Sequence, residues 1–189
     1  MSRLPRLSPA GLDDDQRALY DAITTGPRAG GPFPLTGTGG ALTGPFNAML
    51  FAPPAGQALQ RLGAAMRYET VLGARIRELA ILAVAAHHEC DFERYAHTPA
   101  ARAAGATDAH LAAVAALSVP DDLDGIESAA LRLVLALLAD GDLDDVTYAE
   151  LVPIIGNRVA VELTTLVGYY TTLALQLRVF RVPLPAEQP

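Results

Sequence analysis

From residue 46 onward the apolar residues recur at intervals of three and four almost without a break, and no apolar–polar alternation flanked by hairpin turns competes with them. That periodicity is the strongest constraint on the chain. A sequence patterned this way buries one stripe of each helix against other helices, so the expected fold class is all-α. Ala and Leu dominate the 189 residues and Trp is absent, which favours helix over strand. With 51% hydrophobic residues the chain is long and apolar enough for one domain with a substantial core.

Punctuation residues divide the pattern. Asp13, Asp14 and Asp15 open a first helix whose apolar side carries Leu19, Tyr20 and Ile23, with acidic residues where the helix dipole favours them. Residues 26–45 form a long Gly/Pro/Thr loop, with Gly-Gly at 30–31 and 39–40 and Pro at 27, 32, 34 and 45. A loop of this length is commonly functional. It lacks the Lys and the preceding strand of a phosphate-binding loop. Helices are predicted at 46–51, 55–68, 74–97, 99–105, 109–117, 127–139, 144–155 and 157–179. Pro53-Pro54 ends the first of these, Pro99 opens the 99–105 helix, and Pro153 kinks or shortens 144–155. The organisation expected is a single domain over 1–189: an N-terminal helix and loop to residue 40, a core over 41–182, and a loose tail over 183–189.

Charge and cysteine usage narrow the function. The net charge is -7 and Lys and Arg are not clustered, so nucleic-acid binding is not expected. No run approaches the roughly 20 apolar residues of a membrane span, and residues 1–9 hold no apolar targeting core. A cytoplasmic location is the expectation. The single cysteine, Cys90, cannot form an internal disulfide.

Chemistry concentrates between Arg75 and Gly105, where Glu78, His87, His88, Glu89, Cys90, Asp91, Glu93 and His97 lie within twenty residues. Cys90, Glu93 and His97 stand at i, i+3 and i+7 and share a helix face. Glu78 is twelve residues before Cys90, about 120° away on an ideal helix. It joins that face only if the helix bends or the groups meet between helices. A His beside a carboxylate is a standard proton-transfer pair. A thiol beside a His can be activated. His87, Asp91 and His97 match no metal-ligand spacing, so no metal is expected.

The stretches GALTGPFNAML (40–50), LQRLGAAMRYETVLGARIRELAILAVAAHHECDFERYAH (59–97), PAARAAG (99–105) and VELTTLVGYYTTLALQLRVFRV (161–182) resemble the carboxymuconolactone decarboxylase / alkyl hydroperoxidase D-like superfamily. The resemblance implies a bundle of about seven to eight helices. The thiol-peroxidase branch of that superfamily carries a Glu, a Cys-x-x-Cys and a His four residues later. Those positions fall on Glu78, Cys90, Glu93 and His97, so the second cysteine is replaced by Glu93. A branch without the dithiol keeps a Glu and a His and decarboxylates a lactone acid without a cofactor.

The resemblance therefore implies a cofactor-free lyase, isomerase or cyclase acting on a small lactone or carbonyl acid. His97 is expected as general acid/base, Glu93 as its orienting or proton-sharing partner, and Glu78 as a second carboxylate, with Cys90 in the same cluster. Arg75 or Arg67 is expected to hold a substrate carboxylate, because guanidinium suits bidentate anion binding. Phe46, Asn47, Tyr169 or Tyr170, and His88 are candidates for the pocket wall. The alternatives are a single-cysteine peroxidase or redox protein using Cys90, and a non-catalytic oligomeric binding protein. A helix at 157–179 that is apolar on more than one side (Val161, Leu163, Leu166, Val167, Leu173, Leu175, Leu177) points to a homo-oligomer. The resemblance implies a trimer or hexamer, with a dimer also open.

Overall fold

Asp13 caps the first helix as expected: its side chain accepts from the backbone of Gln16, whose side chain reaches back to the Asp13 N–H. The computed structural model describes residues 2–30 and 33–185. Gly31 and Pro32 of the long loop, and 186–189 of the expected loose tail, lie outside the described residues. The described residues hold nine α-helices and no strand. They pack as two compact units, Met1–Glu69 with Leu175–Pro189, and Thr70–Ala174.

The first unit contains α1 (Asp14–Thr24), α2 (Pro45–Met49) and α3 (Pro53–Tyr68), with α3 packed on both of the others. Pro53 and Pro54 do not end a helix but start one, at positions where the missing N–H has no partner to lose. Gly56 is where α3 meets its neighbours. A Cβ there would lie 2.5 Å from the Met49 carbonyl and 2.7 Å from Leu19. Part of the long loop is tied as a small hairpin: Thr43 N–H donates to Leu35, Gly37 N–H to Ala41, and Thr43 Oγ1 to the Pro34 carbonyl.

The second unit is built on α4 (Ala74–His87), which packs against α5 (Asp91–Ala103), α6 (Asp108–Ala115) and α7 (Gly125–Asp140). Leu79 through Ala85 are all buried, as expected of a helix apolar all round. α8 (Asp145–Ile155) packs on α7, and Pro153 lies inside it without ending it. Gly156 separates α8 from α9 (Asn157–Val179), which runs on into the first unit. Among the described residues no single helix is long and apolar enough to cross a membrane. α8 and α9 pass that test only together, bent by 112°.

The predicted helix 74–97 is in fact two. The chain turns at His88-Glu89-Cys90, and α5 folds back on α4. The Cys90 N–H donates to the Ala85 carbonyl (2.8 Å) and the Glu89 N–H to Ala86 (3.1 Å). This double closure ends a helix through a left-handed residue. Glycine is the usual occupant, but here it is Glu89, with φ 49°. The stop signal is therefore missing from the sequence. The next helix also starts earlier than predicted, so Pro99 sits inside α5 rather than in a first turn.

A β-branched residue at position 89 should suffer more than Glu in this conformation. Glu89→Val is expected to lower the unfolding free energy by about 1–2 kcal/mol, and Glu89→Gly to leave it close to wild type. Urea titration checks both, and equal stability of Val and Gly variants would contradict the account of the turn.

Candidate active site

The turn at 88–90 brings the end of α5 back beside the start of α4. Glu78 on α4 thereby reaches His97 on α5, nineteen residues later. His97 Nδ1 lies 2.7 Å from Glu78 Oε2, both groups buried. On the other side of the ring, Nε2 faces Glu93 Oε2 at 3.3 Å, across one helical turn. Glu78 is 2% exposed, Glu93 4% and His97 8%, so all three are cut off from water. Both ring nitrogens meet carboxylate oxygens, an arrangement that favours imidazolium. Burial opposes the charge, but hydrogen bonding and attraction from Glu78 and Glu93 outweigh it. Together they raise the His97 pKa from 6.5 to about 9.

Further side chains pack around this trio. Tyr170, on α9, sets its ring edge-on against His97, with centroids 5.3 Å apart at 90°. Tyr169 packs in the same way against Tyr170, at 5.0 Å. Arg77 Nε approaches Glu78 Oε1 at 3.5 Å, out of line for a hydrogen bond. Glu78 therefore lies between a guanidinium and the imidazole. Arg77 was not read as a site residue. Adjacent residues on a helix point about 100° apart, so its position beside Glu78 in the sequence gave no reason to pair them.

Cys90 belongs to the cluster through the backbone. It is the residue preceding α5; its sulfur lies near the backbone N–H groups of Glu93 and Phe92 but makes no side-chain hydrogen bond that caps the helix. Burial pushes its thiol up from the ordinary value, the two N–H groups pull it down, and the charges of Glu93 and Asp91 push it up again. The net direction is upward, away from thiolate.

The remaining expected residues fall elsewhere. Arg75 Nε donates to Glu127 Oε1 (2.9 Å) and its Nη2 to Glu127 Oε2, so its fork already holds a carboxylate from α7. His88 Nε2 lies 3.2 Å from Thr171 Oγ1 on α9, and its ring packs edge-on against His87. Phe46, Asn47 and Arg67 belong to the first unit. Asn47 donates to the Pro5 carbonyl and accepts from the Leu7 N–H, both at 3.0 Å, which fastens the N-terminal segment. Arg67 is half-buried in the last turn of α3. Among the described residues no group of three or more His, Cys, Asp and Glu is placed to hold a metal ion. A cleft of about 530 Å³ runs beside α5, lined by Leu82, Ala86, Arg94, Arg102, Leu111 and others, but none of the buried trio lines it.

Residues 53–136 match the carboxymuconolactone decarboxylase family. No curated protein sequence matches the chain significantly. Among solved structures, a peroxidase-related protein of the alkylhydroperoxidase D core type from Ralstonia eutropha superposes with a TM-score of 0.75. It is 18% identical, over 98% of this chain and 93% of that one. An uncharacterised peroxidase-related protein from a Silicibacter species gives 0.74 at 14% identity, covering 98% and 93%. The debrominase Bmp8, bound to 2,3,4-tribromopyrrole, gives 0.73 at 13% identity, covering 98% and 95%. At these identities the likeness is one of fold. Residues 53–136 are thus similar to the carboxymuconolactone decarboxylase family, and the chain shares the all-helical fold of the alkylhydroperoxidase D-like structures.

Proposed function

We propose that the protein is a cofactor-free acid–base enzyme, a decarboxylase-like lyase or a related isomerase or cyclase, acting on a small lactone or carbonyl acid. The observation that carries this reading is the His97 ring clamped between two buried carboxylates. Glu78 fixes the ring through its short bond to Nδ1. The longer contact from Nε2 to Glu93 leaves that proton free to be shared. Glu93 and His97 then form the pair that takes a proton from the substrate or returns one to carbon. Loss of CO2 from a lactone acid leaves a dienolate that needs such a donor. The dry surroundings strengthen each of these electrostatic interactions. Tyr170 restricts the ring to one orientation by packing against its face or edge.

A second reading has one observation in its favour. Cys90 lies against the backbone of Glu93, in a fold shared with peroxidase-related proteins and a debrominase. A lone thiol whose pKa is pushed up is a poor nucleophile, which ranks this reading second.

One set of assays separates the two. Small lactone acids are screened for CO2 release or isomerisation, and peroxides for consumption. On the best substrate, Glu93→Gln is expected to lower kcat about 100-fold, with Cys90→Ser within about threefold of wild type. Turnover that survives Glu93→Gln but is lost with Cys90→Ser would transfer the function to the thiol.

The proposal includes a homo-oligomer. Val146, Tyr148, Ile154 and Val161 are 49–79% exposed on α8 and the start of α9, an apolar surface that a second copy would cover. Sedimentation equilibrium is expected to give a mass of at least twice 19.8 kDa. A monomer at micromolar concentration would exclude the assembly.

A further inference from the structure

We infer that Arg28, in the loop after α1, is the receptor for a carboxylate. Its Nε and Nη2 are both buried, and among the described residues neither has a hydrogen-bond partner. These two nitrogens form one edge of the guanidinium, where two N–H bonds point the same way. Arg28 is half-buried as a residue, but a donor edge buried without a partner is costly, and proteins retain one where something arrives to fill it. A backbone carbonyl would satisfy one N–H. A carboxylate satisfies both and cancels the charge.

The guanidinium is held in place. Its carbon lies over the ring of Phe46, 5.4 Å from the centroid, in the range of cation–π attraction. Phe46 is itself buried, 7% exposed, in α2. The chain reaches Arg28 through a turn closed by the Ala29 N–H on the Gly26 carbonyl. With Phe46 against the guanidinium carbon, the unpaired Nε/Nη2 edge is where an anion would pair. That geometry selects a flat two-oxygen anion, the carboxylate of a small organic acid. A glutamate or aspartate from a second copy of the chain offers the same chemistry. In contrast, Arg75, the guanidinium favoured by the sequence, is already filled by Glu127. The inference stands apart from the acid–base reading because it is tested by binding, without turnover.

The test follows the Arg28 Nε–H resonance of the full ¹⁵N-labelled chain, assigned by its absence in Arg28→Lys. Sodium acetate and sodium benzoate are titrated against sodium chloride, sodium phosphate and benzamide at matched ionic strength. A saturable downfield shift with acetate or benzoate, absent with chloride and benzamide, is expected. The benzoate Kd measured by calorimetry is then expected to weaken about tenfold or more in both Arg28→Lys and Arg28→Gln, with unchanged circular dichroism. If the resonance is already downfield without added acid and returns on dilution, the carboxylate belongs to a second copy, which also supports the inference. A resonance indifferent to every carboxylate and to dilution would overturn it. So would a stronger response to phosphate, or a benzoate Kd unchanged in Arg28→Gln.

Discussion

Replacing Glu78 by Gln is expected to cost the fold about 3–5 kcal/mol, the range for breaking a buried ion pair from one side, and to lower turnover of the acid substrate by 10²- to 10⁴-fold. Gln is nearly the same size, so the loss does not come from packing. It comes from charge. Glu78 sits 2.7 Å from His97 and 3.5 Å from Arg77, and it is almost wholly buried. Without its carboxylate, the buried His97 ring and the partly exposed Arg77 guanidinium both lose the negative charge beside them. His97 also loses the charged acceptor of its shortest carboxylate hydrogen bond, so burial gains weight and its pKa falls from about 9. Urea denaturation and steady-state kinetics read the two effects separately. A variant within 1 kcal/mol and within fivefold in kcat would remove Glu78 from both roles.

The second large effect is on the pH dependence of stability. The folded-state pKa of His97 is about 9, and the ordinary value is 6.5. Folding therefore raises the pKa, so the protonated ring favours the folded state. The stabilisation is fully present below about pH 6.5. It declines as pH rises from there and is gone above about pH 9. Its size is on the order of 3 kcal/mol. Measured unfolding free energies should fall by that order between pH 6.5 and 9 in the wild type. In His97→Gln the fall over this window should be mostly absent. A wild-type curve that is flat, or that rises through this window, would mean that the ring is neutral in the folded protein. The acid–base reading would then need Glu93 alone to hold the proton.

How much of this was legible in the residues depends on the range of the interaction. The all-helical class rests on periodicity and on Ala and Leu propensity, which are local properties, and these held. The common face of Cys90, Glu93 and His97 is also local, set by spacing on α5. The contact between His97 and Glu78 is not local, because it depends on a turn whose key residue is Glu89 rather than glycine. The sequence marks Arg75 for a substrate carboxylate, but in the structure its fork is taken by a carboxylate of the protein itself. That the carboxylate is Glu127, 52 residues away, is a fact of tertiary packing. The choice between Tyr169 and Tyr170 was equally hidden. α9 is apolar over much of its circumference, so no polar stripe marks which ring points at His97.

The turn at residues 88–90 has one more consequence. Because α4 and α5 form a helical hairpin, the Glu78–His97 contact closes a short loop of chain. Closing such a loop is entropically inexpensive and fast compared with pairing distant segments. The proposed reactive centre is therefore a low-contact-order unit, assembled by neighbours in sequence rather than by the whole fold. Tyr170 of α9 packs on its His97 ring. A chain organised in this way can alter its loops and outer helices while the hairpin that pairs Glu78 with His97 stays the same.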